Sequence, residues 1–211
     1  MEAQKDIARP DPALVRRAAG FSSATLHEAM GKRGALSNAI KPIFPEMKLC
    51  GPVVTVSSPP VDNLSIHKAI YESQKGDVLV VVVGGGYEAG YWGEIMTAAA
   101  QARGIAGLVI DGCVRDADLI HEMGFPIFSR GLSIRGTNKR GGGTINAPLL
   151  MDGTVVHPGD LIVGDRDGVV VVPRDEIAQI LDESQKREEK EEKIVKELKA
   201  GKSTLEIYGW R

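Results

Sequence analysis

Glu94, Arg115 and Asp116 are the residues of this chain best suited to doing chemistry together. Glu94 follows Gly93 directly, and after twenty further residues Arg115 and Asp116 stand side by side. Arginine stays charged at any relevant pH and presents a planar fork of donors that suits a carboxylate or an oxyanion. Aspartate is a hard oxygen ligand for Mg²⁺ or Mn²⁺ held mostly by water. If a helix opens at Glu94, the unpaired backbone N–H groups of Glu94, Ile95 and Met96 form an anion site without any side chain. A substrate carboxylate would fit there, a metal would sit on Asp116, and Glu94 could supply a nearby second carboxylate.

Those residues need elements that bring them together, and the middle of the chain supplies them. Gly76-Asp77 is a turn before Val78 to Val83, a continuous apolar run typical of a strand buried on both faces. The glycine-rich stretch Gly84 to Gly93 leads into an alanine-rich helix, Glu94 to Arg103, stopped by Gly104. Ile105 to Ile110 is a second buried strand, Asp116 to Met123 a helix, and Pro126 to Phe128 a short strand. This alternation describes parallel βαβ units, in which strand ends and helix starts share one edge of the sheet, the edge where ligands bind. The start of the 94–103 helix and the Arg115-Asp116 pair are therefore expected to meet.

Simpler readings exist for each part. An Arg-Asp pair opening a helix also satisfies the helix dipole, and a glycine-rich strand-to-helix connection is common. Gly84, Gly86 and Ala89 with Asp111 fit the G-x-G-x-x-A dinucleotide fingerprint, which requires a helix immediately after the second glycine. Gly90 and Gly93 keep the chain irregular until Glu94, so the match reads as accidental. His27, His67, His121 and His157 have no zinc-site spacing.

Outside this region, helices are predicted from Pro12 and Ser23, a strand at Gly51 to Ser57 and a helix at Leu64 to Tyr71. Arg135 to Asn146 reads as an ordered glycine-rich loop. Short strands near Thr154 to Val156, Leu161 to Val163 and Val169 to Val172 are separated by turn chemistry and expected to be antiparallel. A charged helix follows from about Arg174 to Lys199. Its segment Asp182 to Lys193 has no apolar residue, which suits a solvated helix carrying i,i+4 pairs. The chain reads as one α/β domain with a mixed sheet.

The 211 residues carry 26 basic and 28 acidic side chains, a net charge of −2, which argues against binding nucleic acid through phosphate contacts. Two cysteines, Cys50 and Cys113, make no disulfide framework and point to a reducing, cytoplasmic setting. The charged N-terminus lacks a signal-peptide core, and the longest apolar run is too short to span a bilayer. No membrane partner is expected.

The interval from Gly93-Glu94 to Arg115-Asp116, inside GLVIDGCVRD, resembles the acid-x20-Arg-Asp signature of one family. Its members are the class II 4-hydroxy-4-methyl-2-oxoglutarate/4-carboxy-4-hydroxy-2-oxoadipate aldolases and the related RraA-like proteins. The similarity extends through FPIFSRGLSIRGT, VHPGDLIVGDRDGVVVVP, the charged helix and the IYGWR tail, covering most of residues 20–211. It implies a swivelling-domain-like β/β/α single domain over 1–211, assembled as homotrimers or homohexamers with sites between subunits. By the resemblance, the backbone at Gly93, Glu94, Ile95 and Met96 would hold a pyruvyl carboxylate. Arg115 would contact that carboxylate and the carbonyl or enolate oxygen. Asp116 would be the direct ligand of Mg²⁺ or Mn²⁺, with Glu94 holding water on the metal. A neighbour's C-terminal helix would complete the site with Glu191, or with Glu188, Glu189 or Glu192. Asp118 lies two residues after Asp116, where the aldolases often carry an acid three residues on. The implied reaction cleaves a 2-oxo acid to pyruvate, with oxaloacetate decarboxylation through the same enolate. The alternative is a regulator of an RNA-degrading enzyme, as some shorter RraA-like proteins are; a quinone methyltransferase finds no support in the motifs.

Overall fold

A computed structural model describes residues 7–210. Met1 to Asp6, on which the reading of the N-terminus rests, and Arg211 lie outside the described residues. At the centre are four parallel strands in chain order: β2 (Leu49–Ser57), β3 (Val78–Val82), β4 (Gly107–Ile110) and β6 (Ile127–Ser129). They are buried almost throughout, which is why they read as unbroken apolar runs rather than alternating ones. Helices α3 (Leu64–Glu72), α4 (Glu94–Ala102) and α5 (Ala117–Glu122) make the crossovers. Crossovers of the usual right hand, stepping one way along the sheet, put all three helices on the same face. Consistently, α3 packs on α4 and α4 on α5.

The remaining strands extend this core. The short strand β1 (Lys41–Pro42) adds antiparallel to β6 at one edge. At the other, β11 (Leu161–Gly164) and β12 (Val169–Val172) join antiparallel to β2, as the turn chemistry predicts. Alternate residues there serve two cores. Leu161, Val163, Val170 and Val172 meet α1 (Pro12–Ala18), α2 (Ser23–Ala29) and the base of α6 (Ile177–Lys199), whereas Ile162, Val169 and Val171 join the main core. Two small pairs complete the sheet inventory: β5 (Cys113–Val114) with β7 (Gly131–Leu132), and β9 (Leu149–Met151) with β10 (Thr154–Val156). The β9–β10 hairpin packs on β2 and β3, giving the expected β/β/α layering. No helix among the described residues is long and apolar enough to cross a membrane.

Several boundaries differ from the sequence reading. Strand β2 starts at Leu49, two residues earlier, because it must span both the parallel and the antiparallel halves of the sheet. The loop at 135–146 yields a strand, β8 (Thr144–Ile145), paired with β2. In the tail a short helix, α7 (Thr204–Tyr208), is started by a capping box between Ser203 and Glu206. The consequential difference is at Asp116. It is the residue before α5 rather than its first turn, and it sits in the left-handed region at φ 59.

Candidate active site

The glycine-rich stretch stays irregular up to Gly93, and α4 opens at Glu94 as expected. What anchors it is a pair of aromatics that the sequence reading passed over. Tyr91 and Trp92 are fully buried; the Trp92 indole donates to Thr97 Oγ1 at 2.7 Å and stacks against Phe125. Gly90–Trp92 runs beside Cys113–Arg115, with Tyr91 N–H donating to the Cys113 carbonyl and Arg115 N–H to the Trp92 carbonyl, both at 2.9 Å. That pairing, more than the βαβ crossover alone, brings Arg115 and Asp116 to the start of α4.

The contact is close. Asp116 Oδ2 accepts the Glu94 N–H at 3.1 Å, so a carboxylate from the next unit caps α4, where Gly93 has no side chain to do so. The Arg115 stem lies over Gly90 and Gly93, and a Cβ on Gly93 would come within 2.3 Å of Asp116 Oδ2. The guanidinium is half exposed, and its nearest acid is Asp116 at 3.8 Å, so its donors are free for a ligand. With Glu94 N–H taken by Asp116, the open first-turn donors are those of Ile95 and Met96. Glu94's own carboxylate is exposed and makes no hydrogen bond to protein.

A cavity of about 290 Å³ has Gly93, Ile95, Met96, Arg115 and Asp116 on its wall, whereas Glu94 does not line it. Asn63, His67, Thr137 and Lys139 also line it; of these the sequence reading named only His67, and only as lacking zinc-site spacing. Asn63 is 5% exposed; its amide donates to the Tyr91 carbonyl at 2.8 Å, which fixes the flip and leaves Oδ1 buried without a partner. Burial, then the charge of Lys139, lowers the His67 pKa below its ordinary value. A signal for both was available: an Asn at a helix start with a His one turn later.

Asp116 is the single acid on this cavity wall, and its Oδ1 meets no protein donor. Among the described residues no group of three or more His, Cys, Asp or Glu side chains converges as a metal nest. One exposed hard oxygen fits a cation that keeps most of its water, such as Mg²⁺ or Mn²⁺. Of the four acids considered on α6, none lines the cavity of its own chain. Glu191 pairs with Arg187 at 2.8 Å and Glu189 accepts from Gln185, as a solvated helix would arrange them. Beyond Ser184 the helix buries nothing.

Other candidates are engaged structurally. Asp111, the acid of the dinucleotide fingerprint, accepts Val83 N–H at 2.7 Å, and no helix follows Gly86. A larger hollow of about 530 Å³ contains Asp160, whose carboxylate is spent on the N–H groups of His157 and Arg174. Cys50 and Cys113 are free thiols, but burial pushes both above the usual thiol range, Cys50 to about 12.

Asp111 makes a testable contribution to stability. Burial pushes its carboxyl up to about 6, with Val83 N–H and Arg130 opposing. Because that lies above the unfolded value of about 3.9, the folded state binds the proton more tightly. Stability from this group therefore falls as pH rises from about 4 to 6. Asp111→Asn keeps an acceptor for Val83 and is expected to gain on the order of 2–3 kcal/mol at pH 7.5, the gain vanishing near pH 4. Thermal melts at both pH values check this; an equal effect at the two would dissociate it from the carboxyl.

Comparison with known proteins places the chain. The family model described as Aldolase/RraA matches residues 23–171. A protein of Halalkalibacterium halodurans named "Putative 4-hydroxy-4-methyl-2-oxoglutarate aldolase" is 39% identical over 157 residues, 74% of this chain and 75% of that one. An uncharacterised protein from Pseudomonas syringae superimposes with a TM-score of 0.81 at 30% identity, covering 93% of this chain and 97% of that chain. RraAS2 of Streptomyces coelicolor, described as an unusual member of the RNase ES inhibitor RraA family, does so at 0.78 with 34% identity over 87% and 97%. With the Arg115-Asp116 pair at the cavity and the family model matched across the central sheet, this chain belongs to the Aldolase/RraA family.

Proposed function

We propose that the chain is a class II pyruvate aldolase, cleaving 2-oxo acids of the 4-hydroxy-4-methyl-2-oxoglutarate type, with oxaloacetate decarboxylation as a second activity. The observation that carries this reading is the meeting of a free Arg115 fork, the Asp116 carboxylate and open helix-start donors on one cavity. Ile95 and Met96 N–H would bind the carboxylate beside the 2-oxo group. Asp116 would hold Mg²⁺ or Mn²⁺, and the cation supplies Lewis-acid polarisation of the 2-oxo group when bound. Arg115 would pair with the carboxylate and with the oxygen that becomes the enolate. In the cleavage, the C4 hydroxyl loses its proton, the C3–C4 bond breaks, and its electron pair moves to C3 and the 2-oxo oxygen. Protonation at C3 then yields pyruvate. Glu94, unpaired at the helix start, would orient the water that moves these protons. Lys139 and neutral His67 suit a second carboxylate on the departing half, and Asn63 Oδ1 an incoming hydroxyl. The site would be completed in a homotrimer or hexamer by an acid of a neighbour's α6, with Glu191 the first candidate.

The test needs no physiological substrate. The purified protein with Mg²⁺ should exchange the methyl protons of pyruvate in deuterium oxide and decarboxylate oxaloacetate, and oxalate, a planar enolate mimic, should inhibit both. Absence of both reactions in the metal-loaded protein would instead favour the regulatory reading, which the likeness to RraAS2 supports.

Gly93 offers a mutation that separates the site from the fold. Its backbone is extended, at φ −159, so alanine meets no conformational penalty, but the new Cβ collides with the movable Asp116 carboxylate. Gly93→Ala is expected to lower pyruvate formation roughly a hundredfold, as ångström-scale misplacement does, with little change in Tm. Wild-type turnover in this variant would mean that the carboxylate's position is unimportant.

A further inference from the structure

Lys139 owes its place on the cavity to a loop with no helix and with glycine at 136, 141, 142 and 143. Such a segment has much to lose in conformational entropy and little intrinsic reason to stay put. Its ends are held by Gly90 N–H on the Arg135 carbonyl and by Thr144 on Ser57, and between them the attachments around Lys139 fall on residues 61–63. On one side of Lys139, Asn138 N–H donates to the Val61 carbonyl at 2.7 Å and the Asn138 carbonyl accepts from Asn63 N–H at 3.1 Å. On the other side, the Asp62 carboxylate accepts from Arg140 N–H and, at 3.2 Å, from Gly141 N–H. The same carboxylate accepts Leu64 N–H at 3.0 Å at the start of α3, the helix that carries His67.

Asp62 is itself 4% exposed. Its carbonyl accepts from Ser58 Oγ at 2.6 Å, and Val61 beside it holds φ 57, a region that β-branched residues avoid. A residue stays in such a conformation only where its surroundings over-determine it. Here Val61 N–H donates to the Tyr91 hydroxyl at 2.7 Å, which ties the stretch to the glycine-rich loop as well. Burial pushes the Asp62 carboxyl up, but the three N–H groups and Lys139 outweigh it and hold it below the usual carboxylate range.

We propose that Asp62 is a positioning residue for the far end of the cavity: by clasping the 138–141 segment to the start of α3, it sets Lys139 and His67 together to receive the second anionic group of the substrate. This rests on the aldolase reading for the identity of that group, but the clasp itself does not. Asp62 leaves the Arg115–Asp116 end alone, so the two ends of the site should respond separately to its loss.

The experiment has an arm for each part. Amide hydrogen exchange on the wild-type protein should show Arg140 and Gly141 strongly protected relative to Gly136, and Asp62→Asn, which keeps only one acceptor oxygen, should release whichever of the two faces the new NH₂ group. Unprotected amides in the wild type, or unchanged protection in the variant, would overturn the clasp whatever the activity. In the kinetic arm, Asp62→Asn and Lys139→Met should each raise KM roughly tenfold for a 4-hydroxy-2-oxo acid bearing a second carboxylate. Asp62→Asn should not alter KM for an analogue lacking it, and its pyruvate methyl-proton exchange should stay within about twofold of wild type. The double variant should be no worse than Lys139→Met alone, since the two act through one contact. Equal losses for charged and uncharged substrates, or additive effects, would reduce Asp62 to a general structural role. Should Asp62→Asn not fold, Lys139→Met and the wild-type exchange still decide. A wild-type protein that exchanges no pyruvate protons refutes the aldolase reading, and the amide arm then judges the clasp alone.

Discussion

Asp116→Asn is expected to abolish divalent-metal-dependent pyruvate formation while the circular dichroism spectrum stays that of the wild type. The substitution is mild structurally for reasons visible at the site. Asparagine keeps a carbonyl oxygen for the Glu94 N–H, and it tolerates the left-handed backbone at φ 59 better than other L-residues. The Arg115–Asp116 pair that it removes is long, at 3.8 Å, and part-exposed, and such pairs are worth at most about 1 kcal/mol. For a domain of this size that is a Tm change of no more than about 4 °C. What asparagine cannot do is offer a cation the charge of the single acid on the cavity wall. EDTA should reproduce the variant's phenotype in the wild type, and added Mg²⁺ or Mn²⁺ should rescue only the wild type. Full activity in EDTA would overturn the class II assignment.

Arg115→Lys is expected to lower kcat roughly a hundredfold or more, again with little effect on stability. The Arg115 guanidinium makes no hydrogen bond to the protein, and its anchor in the fold is the backbone N–H that donates to the Trp92 carbonyl. Lysine keeps that anchor and the charge but presents a point charge in place of a fork. If the fork pairs with a carboxylate and an enolate oxygen at once, the loss falls on the step where the enolate forms. Steady-state kinetics and pyruvate proton exchange should therefore fall together. A near-wild-type rate would leave Arg115 as a charge beside a helix terminus.

How much of this was legible beforehand depended on how local the determinants are. The βαβ core could be read because strands buried on both faces announce themselves as apolar runs, as at Val78 to Val83. The opening of α4 at Glu94 could be read because glycines hold the chain irregular up to that point. Arg115-Asp116 was legible as adjacent residues of useful types, and the family resemblance assigned their roles.

The other wall of the cavity was not legible. Asn63 is the N-cap residue of α3 and His67 lies within it, and Thr137 and Lys139 come from a loop about seventy residues later. Their meeting depends on hydrogen bonds to the Asp62 carboxylate and with the Asn138 backbone that no periodicity encodes. The left-handed turn at Asp116 was also hidden, because aspartate before a helix ordinarily reads as its own cap. Here its carboxylate caps α4 instead, a partner twenty-two residues back. By itself the sequence determined the order of the core parallel strands and their crossover helices and the chemical types at the sheet edge, since burial and helix termini act over a few residues. Only the tertiary structure decided which N–H groups remain open, where the lone metal-fitting carboxylate points and what faces Arg115, because each follows from contacts between segments that the crossovers bring together.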